Sequence, residues 1–240
     1  MNDLEKYFNE NTGGMIHKWK HYFEIYDRHF SRFRNTNVHI VEIGIYHGGS
    51  IKMWKDYFGP NCKVFGVDIN PNCKNLEEDQ IEIFIGDQED RSFLNSLLKD
   101  IPRIDILIDD GGHFMKQQIV TFEELFNKID KNGVYLCEDL HTSYWPDYDG
   151  GYKKSGTFIE YSKQFIDWIN AWHSRSAKLS ITEFTKSVHS LHYYDSVLVI
   201  EKRPMEKPVD LSTGVPTVQE FKPKKTLKIR FKRLLRKLRI

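Results

Sequence analysis

Cysteine is scarce in this chain of 240 residues: only Cys62, Cys73 and Cys137 occur. An odd count without paired spacing argues against a disulfide framework or a zinc site, and three reduced thiols are expected. Long apolar runs are missing, and nothing approaches the about 18–20 residues a bilayer span requires. The opening residues, MNDLEKYFNE, lack the basic start and apolar stretch of a secretory signal, so a cytoplasmic protein is expected. No G-x-G-x-x-G run is present, which weakens any dinucleotide reading. No internal repeat is visible.

Acid is absent from one place. Residues 222–240 (KPKKTLKIRFKRLLRKLRI) hold ten Lys and Arg and no acid, leaving 25 basic against 34 acidic residues elsewhere. An acidic body and a basic tail call for separate explanations. In the tail, Leu227, Phe231, Leu234, Leu235 and Leu238 share one helical face. A basic amphipathic helix over 224–240 is therefore expected, able to hold the protein peripherally on an anionic membrane surface at its inner face. Nucleic acid is not an expected partner, because the body is acidic and no base-reading motif is present.

The body has 40% hydrophobic and 29% charged residues overall, a soluble globular composition. Short apolar runs recur at 38–44, 63–69, 81–86, 104–109 and 134–139. They are apolar on both faces, as buried parallel strands are. Helix-compatible stretches at 48–58, 91–100 and 115–129 lie between them. This βαβ order predicts a Rossmann-like, doubly wound α/β sheet. The runs 188–194 and 196–202 are split by Asp195 alone and predict a closing hairpin with an antiparallel strand. Residues 16–33 carry aromatics at helical spacing and predict an N-terminal helix that covers the sheet or meets a second subunit. The expected organisation is a helical segment over 1–36, a main domain over 37–203, a Pro-rich linker over 204–223 and the tail.

Ligands of such sheets bind beyond the carboxyl ends of the strands. After the first strand stands Glu42-Ile43-Gly44-Ile45-Tyr46-His47-Gly48-Gly49-Ser50, whose glycines admit a ligand close to the backbone. Asp68 ends the second strand, placed to accept ribose hydroxyls. Asp87 and Gln88 follow the third, where an adenine amino group could be held. After the fourth and fifth strands come Asp109-Asp110-Gly111-Gly112-His113 and Glu138-Asp139-Leu140-His141. Asp110, Glu138 and Asp139 are expected to converge, and such a group of carboxylates needs a cation or bound protons. Hard oxygen donors suit Mg²⁺ or Mn²⁺. Alternation turns Asp109 away from Asp110, so it belongs with the cofactor residues or supports a backbone turn. His113 is placed to take a proton from an acceptor hydroxyl. The long loop 140–157 brings His141, Tyr144 and Trp145, side chains suited to a sugar ring.

EIGIYHGGS, IDDGGH, EDLHTSYW, HKWKHYFEIYDRHF and HSLHYYDSVLVIEK together resemble class I S-adenosylmethionine-dependent methyltransferases. More narrowly, they are similar to the metal-dependent macrolide sugar O-methyltransferases of the mycinamicin and macrocin type and to the cephalosporin hydroxylase-like group. The similarity covers roughly residues 13–203. It implies a seven-stranded sheet in the order 3-2-1-4-5-7-6, with strand 7 antiparallel. It implies S-adenosylmethionine held by Glu42, Gly44, Tyr46, Gly48, Ser50, Asp68, Asp87, Gln88 and Asp109. The metal ligands carry over to Asp110, Glu138 and Asp139, with His113 as catalytic base beside Asp110. The implied acceptor is a sugar hydroxyl on a small molecule or glycan, touched by His141, Tyr144 and Trp145. The implied pathway makes a surface polysaccharide or a glycosylated natural product. A homo-oligomer is expected. Two other readings stand beside this one: a non-catalytic accessory protein, and a nicotinamide-dependent enzyme, against which the missing G-x-G-x-x-G and Tyr-x-x-x-Lys argue.

Overall fold

Each apolar run becomes a strand of one sheet. The computed structural model describes residues 1–221 and separates Met1–Lys207 from a second unit, Pro208–Ile240. Residues 208–221 contain no helix or strand, and the basic helix expected over 224–240 lies outside the described residues. In chain order the strands are β1 (His39–Ile43), β2 (Lys63–Asp68), β3 (Ile81–Ile85), β4 (Ile104–Asp109), β5 (Ile129–Cys137), β6 (Val188–Tyr194) and β7 (Val197–Lys202). They lie in the order β3-β2-β1-β4-β5-β7-β6. The first five are parallel, and β7 runs antiparallel to both β5 and β6. The expected strand order holds.

Helices cover both faces. On one side lie α1 (Asp3–Glu10), α2 (Tyr22–Phe30) and α3 (Gly49–Phe58), packed on Ile40, Ile106, Ile108 and Leu136. On the other lie α4 (Arg91–Leu97), α5 (Met115–Leu125), α6 (Phe158–Ser162), α7 (Gln164–Ile169) and α8 (Glu183–Ser187), packed on Val41, Ile43, Leu107, Tyr135 and Cys137. The two-residue alternation of a strand decides which residue meets which layer. Glu42 shares its face with Ile40, Asp110 continues the face of Ile106 and Ile108, and Glu138 that of Leu136. All three acids therefore turn toward the α1–α3 layer, while Asp109 turns the other way.

Two predicted helices are shorter than expected. The helix expected over 115–129 stops at Leu125, and a tight turn at Phe126–Lys128 leads into β5. Lys202 of β7 reaches in, its Nζ donating to the carbonyls of Phe126 (3.2 Å) and Ile129 (2.6 Å). Those bonds satisfy carbonyls that a longer helix would have used. The stretch 16–33 is not one helix: α2 begins only at Tyr22, and residues 11–21 run as irregular chain. Just before that stretch, Gly14 lies directly against His47 and Gly49 and leaves no room for a side chain, while Lys18 reaches Asp110 and Glu138. Helix α2 is braced to the far edge of the sheet. His29 Nδ1 meets Glu201 at 2.7 Å and its Nε2 meets the Tyr194 hydroxyl at 2.9 Å.

Candidate active site

The register of the sheet assembles the site. Ile43 in β1 pairs with Asp109 in β4, and Asp109 with Cys137 in β5. The next residues, Gly44, Asp110 and Glu138, thus leave three neighbouring strands at one edge. Gly44 has φ +86°, and any side chain on it would strike the Asp110 carbonyl. Only glycine suits both the conformation and the close approach.

A cavity of about 580 Å³ opens at this edge. Gly44, Tyr46, Ser50, Asp68, Asp87 and Gln88, all expected cofactor residues, line it. Asp68 works twice. Its Oδ2 accepts the backbone amides of Ile45 and Tyr46 at 3.1 Å, fixing the turn, while its carboxylate borders the cavity. Gln88 is less free, donating to Asp109 (2.6 Å) and Thr121 (2.9 Å) and accepting from the Gly112 amide.

Three expected cofactor residues do not line the cavity. Glu42 is buried beneath it, its carboxylate held by Ser50 Oγ (2.9 Å) and Trp54 Nε1 (3.0 Å). Burial pushes the Glu42 carboxyl up to about 7 against the pull of Lys18. Gly48 caps α3 in a left-handed turn against Leu76. Asp109 lies on the opposite sheet face under Gln88 and Tyr135, where burial raises its carboxyl to about 7. Of its two expected roles, the turn support is the one it fills.

The chemistry residues form a tight group at the cavity's inner end. Ligand atoms of Asp110, His113 and Asp139 all lie within 4.8 Å of one another. His113 Nε2 faces Asp139 Oδ2 at 3.3 Å. His113 sits at φ +60° in the turn after Gly112, and Asp139 at φ +54° just past β5. Burial lowers the His113 pKa, with Asp139 opposing and Lys18 and His141 assisting, which favours the uncharged imidazole. Its Nδ1 is buried without a partner. Glu138 is set deeper. Its Oε1 accepts from the Tyr26 hydroxyl at 2.7 Å and its Oε2 from Lys18 Nζ at 2.9 Å. Lys18 also pairs with Asp110. Burial raises Asp110 and Glu138 above the usual carboxylate range, helped by Glu42 at Asp110 and by Asp110 at Glu138, against the pull of Lys18. Burial would lower the ammonium of Lys18, but Asp110 and Glu138 outweigh it and keep it charged. Oxygen donors of this kind and number suit a hard divalent cation, with Asp110 and Asp139 nearest and Glu138 behind.

The aromatics of the loop lie beside Asp139 rather than on the cavity wall. His141 Nδ1 bonds Ser196 Oγ at 2.5 Å, and its ring meets Trp145 (4.5 Å) and Trp19 (5.7 Å). Tyr144 and Trp145 are about half exposed. None of the three borders the cavity itself, but His141 Nδ1 is 3.9 Å from Asp139 Oδ1. The loop 140–157 is not irregular throughout, because short turns at Leu140–Tyr144 and Pro146–Tyr148 order it.

Four residues of the site escaped the sequence reading: His17, Lys18, Tyr22 and Tyr26. Tyr22 donates to Asp139 Oδ1 at 2.7 Å. The signal lay in HKWKHYFEIY, where Lys18 and Lys20 stand amid aromatics at helical spacing.

A seven-stranded sheet in this order, with a glycine turn after β1 and acids after β2, β4 and β5, is the class I methyltransferase fold. The MycE methyltransferase of the mycinamycin biosynthetic pathway, solved with Mg, SAH and mycinamycin VI, superposes with a TM-score of 0.75 and 29% identity, over 96% of this chain and 58% of that one. The chain is 35% identical to the 8-demethyl-8-alpha-L-rhamnosyl tetracenomycin-C 2'-O-methyltransferase of Streptomyces olivaceus, over 76% of this chain and 50% of the relative. It is 33% identical to the mycinamicin VI 2''-O-methyltransferase of Micromonospora griseorubida, over 80% of this chain and 49% of the relative. It is 32% identical to the demethylmacrocin O-methyltransferase of Streptomyces fradiae, over 84% and 53%. No family model matches. The chain spans about half the length of the curated relatives it matches. The resemblance read from the motifs therefore holds: this chain is a homologue of the sugar O-methyltransferases of macrolide and tetracenomycin pathways.

Proposed function

We propose that this protein is an S-adenosylmethionine- and Mg²⁺-dependent O-methyltransferase acting on a sugar hydroxyl. The observation that carries the reading is the His113 imidazole 3.3 Å from Asp139, beside Asp110, on a cavity bordered by Asp68. Asp68 and the Gly44 turn would hold the nucleoside, and Asp87, on the same cavity wall, its adenine. Asp110, Glu138 and Asp139 hold the cation. When bound, Mg²⁺ (or Mn²⁺) supplies Lewis-acid polarisation of the acceptor hydroxyl. His113 takes the hydroxyl proton as the oxygen attacks the cofactor methyl in line and S-adenosylhomocysteine leaves. The buried walls exclude water and hold the reactants, a contribution that positioning alone can make large. His141, Tyr144 and Trp145 offer an aromatic and hydrogen-bonding edge to the sugar.

The acceptor fits two chemical settings, a glycosylated small molecule of the kind named in the relatives and a sugar of a surface polysaccharide. A homo-oligomer, and peripheral attachment to an anionic inner membrane face through residues 224–240, complete the proposal. Among the described residues no helix is long and apolar enough to cross a membrane. The test is calorimetric titration with S-adenosylhomocysteine, with and without Mg²⁺, then methyl transfer to a panel of glycosides and nucleotide sugars. Micromolar binding and transfer to at least one sugar hydroxyl are expected. Absence of binding in both conditions would overturn the reading.

A further inference from the structure

Lys18 does not belong to any strand end, yet it sits at the centre of the acids. Its side chain is only 2% exposed. Its ammonium contacts Asp110 Oδ2 and Glu138 Oε2, and lies 5.9 Å from the centre of the Tyr26 ring. Because Tyr26 holds the other oxygen of Glu138, donors of the chain itself occupy both oxygens of that acid. Nearby stand two further carboxylates, Glu42 and Asp139. A cluster this acidic and this buried demands positive charge, and Lys18 is the ammonium paired within it.

The lysine is carried by a strap. Residues 11–21 cross the cavity edge without regular structure. Asn11 Nδ2 donates to the Gly14 carbonyl at 2.8 Å, Gly14 lies against Gly49, and His21 Nε2 meets the Asp195 carbonyl at 3.0 Å. Between those anchors Met15, Ile16, His17 and Lys18 form one wall of the cavity.

We propose that Lys18 and a divalent cation compete for Asp110 and Glu138, so that cation binding expels the ammonium and resets the strap along the cavity wall. The inference rests on the metal reading above. A Mg²⁺ ion takes its oxygen ligands at about 2.0–2.1 Å and in near-octahedral array. With Lys18 on one oxygen of Glu138 and Tyr26 on the other, an entering cation must share that carboxylate with the ammonium. Two cations at that spacing also repel strongly in a buried site. Lys18 moves rather than Tyr26, because its long stem swings on an irregular segment while Tyr26 is packed inside α2. Strap residues also wall the nucleoside cavity, so the cation and the nucleoside become coupled through this one segment.

Calorimetric titration with Mn²⁺ of wild type, Lys18→Gln and Lys18→Arg tests this, with hydrogen exchange of wild type run alongside. Removing a charge-assisted competitor should tighten Mn²⁺ binding in Lys18→Gln by about 10-fold or more. Lys18→Arg, which keeps the charge, should stay near wild type or bind more weakly. Adding Mn²⁺ to wild type should speed exchange over residues 14–20 and leave Asp110→Asn unchanged. Equal or weaker Mn²⁺ binding by Lys18→Gln, with no exchange change over 14–20 in wild type, overturns the competition while leaving the metal site standing. Failure of both wild type and Lys18→Gln to bind Mn²⁺ overturns the metal reading together with it.

Discussion

His113 Nε2 lies 3.3 Å from Asp139 Oδ2, and both residues sit in left-handed backbone at the ends of adjacent strands. Non-glycine residues adopt that conformation at a cost, and such strain gathers at functional sites. Here it aims an imidazole and a carboxylate at one point. Replacing His113 by Ala should lower turnover by about 10²–10⁴, the usual worth of a general base. S-adenosylhomocysteine affinity should change little. Retained turnover would remove His113 from the mechanism.

Asp68 should matter for binding. Asp68→Ala loses the anchor of the Ile45 and Tyr46 amides together with its place on the cavity. Hydrogen bonds to a charged group contribute about 1.5–3 kcal/mol, so affinity for S-adenosylhomocysteine should fall by about 10- to 100-fold. Titration calorimetry reads the effect directly.

The α1–α3 layer can be tested through Trp54. It is fully buried against Tyr26 and Phe30 and donates to Glu42. Trp54→Ala should cost about 3–5 kcal/mol by cavity formation, with a further loss from the unpaired Glu42 oxygen. Denaturant unfolding measures it, and a loss below about 1 kcal/mol would show the layer to be loosely packed.

Lys202 predicts a pH effect on stability. Burial lowers its pKa in the folded protein from 10.5 to about 8. Between about pH 8 and pH 10.5 the unfolded chain therefore binds more protons here than the folded one. Stability from this group rises with pH across that window, and its cost is full below it. Lys202→Met lacks the titration. The stability of wild type relative to Lys202→Met should climb as pH increases from about 8, read from denaturant midpoints at several pH values.

Much of the site was legible along the chain because it is local. A continuous apolar run followed by Gly44, Asp68, Asp110 or Glu138 announces both a parallel strand and the residue at its active edge. Glu42, Gly48 and Asp109 sit in the same motifs yet lie off the cavity. Their motif positions resemble those of true lining residues, and only the side-chain direction separates them. The helix expected over 16–33 begins only at Tyr22: helical spacing of aromatics in IHKWKHYF does not reveal that Lys18 meets Asp110 and Glu138 far along the chain.

The amino-acid sequence by itself determined the strands, their mostly parallel pairing, the glycine turn and the acids at the strand ends, since hydrophobic period and turn chemistry act over a few residues. Tertiary structure alone decided which acids share a face and what neutralises them. Lys18 meets Asp110 across 92 positions and Glu138 across 120. Those meetings depend on how the strap packs against α3 and on the registers of three strands. Charge in a buried cluster is settled by whichever group the fold delivers there, and that delivery is a property of the whole chain.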